Sequence, residues 1–313
     1  MESGVTGPGD GDGRSADRRD ALERRLLARV TKTVHAHGLL RAGDRVMVCV
    51  SGGKDSATLL HLLGRLVRAL PFEVRLVAVH LDQRQPGYDG APLVRWLEAT
   101  GHPFEVLSED TYEVVKARMD AGQTPCATCS RLRRGILYTA AARLGCTAIA
   151  LGHHREDTLE TLLLNLVYGG RLQAMPASYV TDDGRFRVIR PLIACAEADI
   201  ARFAALEGFP VLPCTLCGSR PDSKRDAMGA LLEHLEALNP RVRESMLGAL
   251  GNVRPTHLLD DAVAEAWRRR PEALSAKTSA RETATHFAAL PVRSALEGWL
   301  APPEATAERE PER

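Results

Sequence analysis

The spacing of apolar residues changes along this chain in a regular way. Between residues 17 and 37 leucines recur at helical spacing, as at Leu22 and Leu26. The apolar run Arg45-Val-Met-Val-Cys-Val50 follows, too short for a helix and rich in β-branched residues, so it predicts a strand. The same contrast then repeats. Strands are predicted near 73–80, 103–107 and 147–151, and helices near 56–69, 91–100, 129–144 and 155–168. Alternation of this kind predicts an α/β fold, a doubly wound parallel sheet with helices on both faces. Ligands of such sheets gather at the carboxyl ends of the strands. Ser51, His80-Leu-Asp82 and Gly152-His-His154 fall at those ends.

The pattern changes after Gly169-Gly170. A short apolar piece, Arg187-Val-Ile-Arg-Pro-Leu192, precedes predicted helices near 196–207, 222–237 and 241–250, which read as helical C-terminal additions. Residues 1–16 read as a disordered leader. Residues 17–260 read as one domain that includes the N-terminal helix. Residues 261–313 read as an extension of scattered charge, Ala and Pro, disordered past about 301. No internal repeat is visible.

Composition narrows the class. A hydrophobic content of 44% over 313 residues supports an ordinary core, and a formal net charge of +1 carries no global nucleic-acid signature. RNA binding would have to come from local patches. No apolar run approaches the roughly 20 residues of a membrane span, and the N-terminus lacks a signal-peptide apolar region. A cytoplasmic enzyme without membrane attachment is the expectation. Seven cysteines in such a chain argue against a disulfide framework. Cys49, Cys146 and Cys195 read as small buried hydrophobes.

The strongest local signal is Ser51-Gly-Gly-Lys-Asp-Ser56, between a strand and an apolar helix. Gly52 and Gly53 allow close backbone approach, the helix N-terminus presents free N–H groups, Lys54 adds a point charge, and Ser51 and Ser56 add hydroxyls. This is a phosphate cradle. It lacks the four-residue spacing of the commoner P-loop. Asp55 would repel phosphate unless it caps the helix or Mg²⁺ bridges the two. Leu151-Gly-His-His-Arg-Glu-Asp157 opens a later helix, and His153, His154, Glu156 and Asp157 are candidates for proton transfer or Mg²⁺ ligation. Two Cys-x-x-Cys pairs, Pro125-Cys-Ala-Thr-Cys129 and Pro213-Cys-Thr-Leu-Cys217, point to metal chemistry. From spacing alone a closed four-cysteine zinc site is the leading reading and an iron–sulfur cluster its competitor, and the pattern does not decide between them.

Together these strings resemble the tRNA 2-thiocytidine synthetases of the PP-loop ATP-pyrophosphatase superfamily. The phosphate loop, Cys126-Ala-Thr-Cys-Ser-Arg-Leu-Arg-Arg-Gly-Ile-Leu-Tyr138 and the histidine–acid segment carry the resemblance, with Tyr168-Gly-Gly-Arg-Leu-Gln-Ala-Met-Pro176, Arg190-Pro-Leu192 and Pro213-Cys-Thr-Leu-Cys-Gly-Ser219. Order and spacing are kept from about residue 40 to 260. The resemblance implies the PP-loop fold and a cytoplasmic homodimer. The implied reaction thiolates cytidine 32 of the tRNA anticodon loop, using ATP, Mg²⁺ and a [4Fe–4S] cluster, with sulfur from a donor such as a cysteine desulfurase. By the same resemblance Ser51, Gly52, Gly53, Lys54, Asp55 and Ser56 bind ATP, and Cys126, Cys129 and Cys217 hold the cluster, leaving Cys214 a spare thiol. Lys54, Arg133 and Asp157 are the implied catalytic residues. Glu156 stands where the family commonly has Asp. Arginines 131, 133, 134, 155, 171, 220 and 225 are candidate tRNA phosphate contacts.

Overall fold

The computed structural model describes residues 10–117, 126–212 and 224–269. Their elements run α1 (Asp10–His37), β1 (Arg45–Cys49), α2 (Lys54–Val67), β2 (Arg75–Asp82), α3 (Ala91–Thr100), β3 (Phe104–Ser108), α4 (Thr111–Ala117) and α5 (Cys126–Arg143). They continue β4 (Ala148–Ala150), α6 (Arg155–Gly169), β5 (Ser178–Val180), β6 (Arg187–Ile189), α7 (Glu197–Glu207), α8 (Lys224–Leu238), α9 (Val242–Leu250) and α10 (Asp261–Arg268).

The strands form one six-stranded sheet in the order β3-β2-β1-β4-β6-β5. All neighbours pair in parallel except β5, which runs antiparallel to β6. The chain winds outward from β1 to β3, then returns to place β4 on the other side of β1. The order reverses between β1 and β4, so a crevice opens outside their carboxyl ends.

Both faces of the sheet are buried, which explains why its strands read as nearly unbroken apolar runs. Val46, Val48 and Val50 of the β1 region pack in one core with Leu26, Leu60, Leu93 and Phe203, from α1, α2, α3 and α7. Met47 points to the other face and joins Val77, Ile149 and Val188 against Ala140 and Ala141 of α5. Alternate residues of each strand thus supply two cores.

Several elements differ from expectation. The first helix reaches back to Asp10, so residues 10–16 of the expected leader are helical. The helix α4 and the edge strand β5 had no signal, and the apolar piece at 187–192 yields only a three-residue strand. Part of the expected extension is helical as α10, whose N-cap Asp260 accepts from the Val263 N–H at 3.0 Å. By its internal contacts the chain forms two compact units, one up to Gly229 and one from Ala230. Among the described residues no helix is long and apolar enough to cross a membrane.

Candidate active site at the carboxyl edge of the sheet

The phosphate loop leaves β1 and enters α2 through a backbone conformation that needs glycine. Gly52 sits at φ +85°, in the left-handed region, and its carbonyl accepts from the Leu212 N–H at 2.8 Å. Gly53 is the N-cap of α2 and has no side chain with which to cap it. The first N–H groups of α2 are therefore left for an anion. The hydroxyl of Ser56 ties the turn together: it donates to the Gly53 carbonyl at 2.9 Å and accepts from the Ser51 N–H at 3.0 Å.

Lys54 Nζ donates to Glu197 Oε1 at 2.9 Å and lies 3.1 Å from Asp55 Oδ1. Burial works against its charge, but Glu197 and Asp55 outweigh burial and raise its pKa. Asp55 Oδ1 is buried and accepts no hydrogen bond. The sheet brings the turn after β4 against this loop. A Cβ on Gly152 would lie 3.1 Å from both Asp55 C and Ser56 N, so a larger residue would crowd the backbone of the loop.

The two histidines of the turn have opposite character. Burial and the neighbouring Arg190 charge hold His153 down at about 4, and its Nδ1 accepts from Arg190 Nε at 3.3 Å. His154 is buried too, yet its pKa is raised, because Glu156, Asp157, Asp55 and Glu197 surround it. His154 Nε2 lies 3.4 Å from Asp157 Oδ2 and 3.9 Å from Asp55 Oδ1 and Glu197 Oε1. Asp157 Oδ2 also accepts from the His154 N–H at 3.0 Å and so caps α6, while its Oδ1 takes Arg225 Nη1 at 3.1 Å.

Glu156 faces inward. It accepts from Arg155 Nη2 at 2.7 Å and from the Glu197 N–H at 2.8 Å, fixing the start of α7 beside the start of α6. Burial opposes its charge, but the nearby His154 ring, 3.4 Å away, and the hydrogen bonds from Arg155 and the Glu197 backbone pull its pKa down to about 2. Arg155 is buried in this pair, so it is not placed to meet tRNA phosphate.

Of the predicted cluster ligands, Cys129 is described. It lies in the first turn of α5, is 2% exposed, and its thiol meets Gln83 Oε1 at 3.5 Å. Gln83 follows β2 and lines a small cavity of about 30 Å³ shared with Ser51, His80 and Tyr88. Cys129 therefore stands on the same sheet edge as the phosphate loop. The Cys126 side chain, Cys214, Cys217 and Arg220 lie outside the described residues. Arg133 is half-buried on α5, four residues after Cys129 and so on the same side of the helix. Arg131, Arg134 and Arg171 are exposed. Burial pushes the thiols of Cys49 and Cys195 up to about 12 and raises that of Cys146, which suits inert packing residues.

The sequence matches the PP-loop domain family over residues 22–210. It is 48% identical over 256 residues to the tRNA-cytidine(32) 2-sulfurtransferase of Verminephrobacter eiseniae, covering 82% of this chain and 81% of that protein. The enzyme of the same name from Anaeromyxobacter sp. is 52% identical over 239 residues, 76% of this chain and 79% of that protein. The chain belongs to the tRNA-cytidine(32) 2-sulfurtransferase family of PP-loop proteins. Among solved structures it resembles the U34-tRNA thiolase NcsA from Methanococcus maripaludis, determined with its [4Fe–4S] cluster. The TM-score is 0.60 at 21% identity, over 76% of this chain and 81% of that one, a likeness of fold.

In this family member the tertiary structure brings Lys54, Asp55, His154 and Asp157 together, as their placement at two strand ends predicts. Glu197 was not singled out from sequence, since an acid in the first turn of a helix is ordinary. Gln83 and the pairing of Arg225 with the site acids carried no signal either.

Proposed function

We propose that this protein is an ATP-dependent tRNA-cytidine(32) 2-sulfurtransferase that activates the base by adenylation. The observation that carries the reading is the convergence of phosphate loop, histidine–acid cluster and Cys129 on one edge of the sheet, around the β1/β4 crevice. Oxygen at C2 of cytosine is a poor leaving group. Its attack on the α-phosphate of ATP breaks the bond to pyrophosphate and makes AMP the leaving group. The N–H groups at the start of α2 and the Lys54 ammonium stabilise the charge on the departing pyrophosphate. Lys54 is held ready by Glu197, and a triphosphate would replace that carboxylate at Nζ.

Asp157, whose Oδ2 lies 3.4 Å from His154 Nε2, is the candidate proton acceptor, and Arg133 a candidate phosphate or substrate contact. Asp55 fits a Mg²⁺ role: its carboxylate lies in the phosphate loop with Oδ1 buried, free of hydrogen bonds and paired only electrostatically with Lys54, and this ion is usually held by one or two carboxylates plus substrate phosphates. Cys126, Cys129 and Cys217 would hold the [4Fe–4S] cluster, and the buried Cys129 thiol on the active edge is consistent with that. When bound, the cluster supplies an open iron position that carries sulfide for attack at C2. A cysteine desulfurase as sulfur donor and assembly as a homodimer complete the proposal.

The test is the iron, sulfide and zinc content of four cysteine variants prepared without oxygen. Cys126→Ser, Cys129→Ser and Cys217→Ser are expected to lose iron and thiolation together, while Cys214→Ser keeps its iron. Zinc in the parent protein, lost equally from all four variants, would overturn the mechanism.

A further inference from the structure

We infer that the face formed by α1, α7 and the far end of α2 is a docking track for the tRNA phosphate backbone; the inference rests on the tRNA-thiolase reading. This face starts at the site. Glu197, in the first turn of α7, holds Lys54, and α1 runs antiparallel along the same helix. Arg29 Nη1 donates to the Ala194 carbonyl at 3.3 Å near the start of α7, Arg25 pairs with Asp199, and Arg19 Nε lies 3.6 Å from Glu207 near its end.

Between the two helices lies an open groove of about 540 Å³ with an apolar floor and Arg18, Arg25 and Arg202 in its lining. At the next residue, Glu207, a second cavity of about 350 Å³ begins, lined by Arg65, Arg68 and His102. Most acids of the region are engaged: Asp199 with Arg25, Asp20 and Glu207 with Arg19, and Glu23 with Arg65, while Asp17 precedes Arg18 in α1. Among the described residues no carboxylate pairs with Arg18, Arg68 or Arg202. On a chain with a formal net charge of only +1, this is a local surplus of cations along two neighbouring concavities.

Like charges set side by side without partners are tolerated where a polyanion completes them. A guanidinium grips phosphate through its planar fork, and the apolar floor accommodates the arginine stems. A small anion would satisfy one of these groups. A nucleic-acid backbone supplies charges at intervals along the whole track, which extends about 20 Å from Lys54 to Arg68 along α2. Double-stranded RNA is held mainly through backbone and shape, so a stem adjoining the target loop is the occupant that fits.

The test compares the full-length parent with a triple variant, Arg18→Ala, Arg68→Ala and Arg202→Ala, and with a triple Arg→Lys variant. Dissociation constants for an unmodified tRNA transcript are measured over a range of salt concentrations, with ATP affinity and iron content as controls. The alanine variant is expected to bind tRNA at least tenfold more weakly at low salt. Its log–log salt slope should be shallower by about 2 to 3, the loss of three phosphate contacts. ATP affinity and iron content should be unchanged, and the lysine variant should retain most of the affinity and the slope. Unchanged tRNA affinity and slope in the alanine variant would overturn the track while leaving the thiolase reading intact. An altered sedimentation mass with unchanged tRNA affinity would overturn it in favour of a self-association surface. A parent that does not bind tRNA at all would remove the functional reading and the track together.

Discussion

Among single residues, Glu156 and Asp157 adjoin in sequence but do different work. Glu156 is buried and ties α6 to α7, whereas Asp157 faces the phosphate loop and carries its charge beside His154. The substitution Asp157→Asn keeps one oxygen able to cap the His154 N–H and removes the charge together with the oxygen that accepts from Arg225 Nη1. Single-turnover thiolation is expected to fall by about 10²-fold or more, with ATP affinity nearly unchanged. An equal loss in both would make Asp157 a binding residue.

Glu156 instead controls stability against acid. Its pKa is about 2 when folded and 4.5 in the open chain, so the unfolded state binds the proton more readily. The stabilisation is present above pH 4.5 and is lost as pH falls from there towards 2. His153, depressed to about 4 from 6.5, acts in the same direction over the window from 6.5 to 4. The raised pKa of His154 acts oppositely, since its contribution is full below 6.5 and fades as pH rises through the folded value. Melting curves of Glu156→Gln against the parent should show a lower Tm at neutral pH and a gap that closes between pH 4.5 and 2. A constant gap across that window would assign the loss to packing.

The two glycines that contact α2 make a contrast at the scale of elements. Gly152 lets the β4–α6 turn approach the first turn of α2, and an added methyl would meet backbone, which cannot give way alone. Overpacking of this kind costs about 1–3 kcal/mol, here by displacing the loop that binds phosphate. Gly152→Ala is therefore expected to weaken ATP binding more than tenfold and to lower Tm. Gly64 lies inside α2, and its added methyl would come 2.5 Å from His102 Nε2, the end of a side chain that can swing away. Alanine there regains about 1 kcal/mol of helix propensity. Gly64→Ala should leave ATP binding intact and shift Tm little. The pair is checked by calorimetric titration with ATP and by thermal melts.

For the molecule as a whole, the decisive feature is the reversal of strand order between β1 and β4. It sets two segments about a hundred residues apart in sequence, Ser51–Ser56 and Gly152–Asp157, on one crevice, as the 3.9 Å separation of His154 Nε2 from Asp55 Oδ1 shows. A reaction shared between those segments should join the nucleotide and the base covalently. With tRNA carrying oxygen-18 at C2 of cytidine 32, thiolation is expected to place the label in AMP, with one pyrophosphate per turnover. Label found in inorganic phosphate, or ADP as product, would contradict adenylation.

The order of elements, the phosphate loop and the family strings were legible in the sequence because each is local: a period of apolar residues, a glycine pair before a lysine, a cysteine spacing. The start of α1 within an apparent leader was hidden because its first turns carry Gly and Asp rather than leucines. The strand β5 gave no signal, and β6 sits in an apolar piece that was not assigned to a strand. The site beyond the loop was decided by tertiary contacts. Glu197 reaches Lys54 across 143 positions, and Arg225 reaches Asp157 across 68. The local signature of an acid at a helix start is the same whether it caps, buttresses or binds, and only the packing of α6 and α7 against the loop separated Glu156, Asp157 and Glu197. Burial and surrounding charge, properties of the folded neighbourhood, likewise moved the pKa values of two adjacent histidines in opposite directions, His153 down and His154 up.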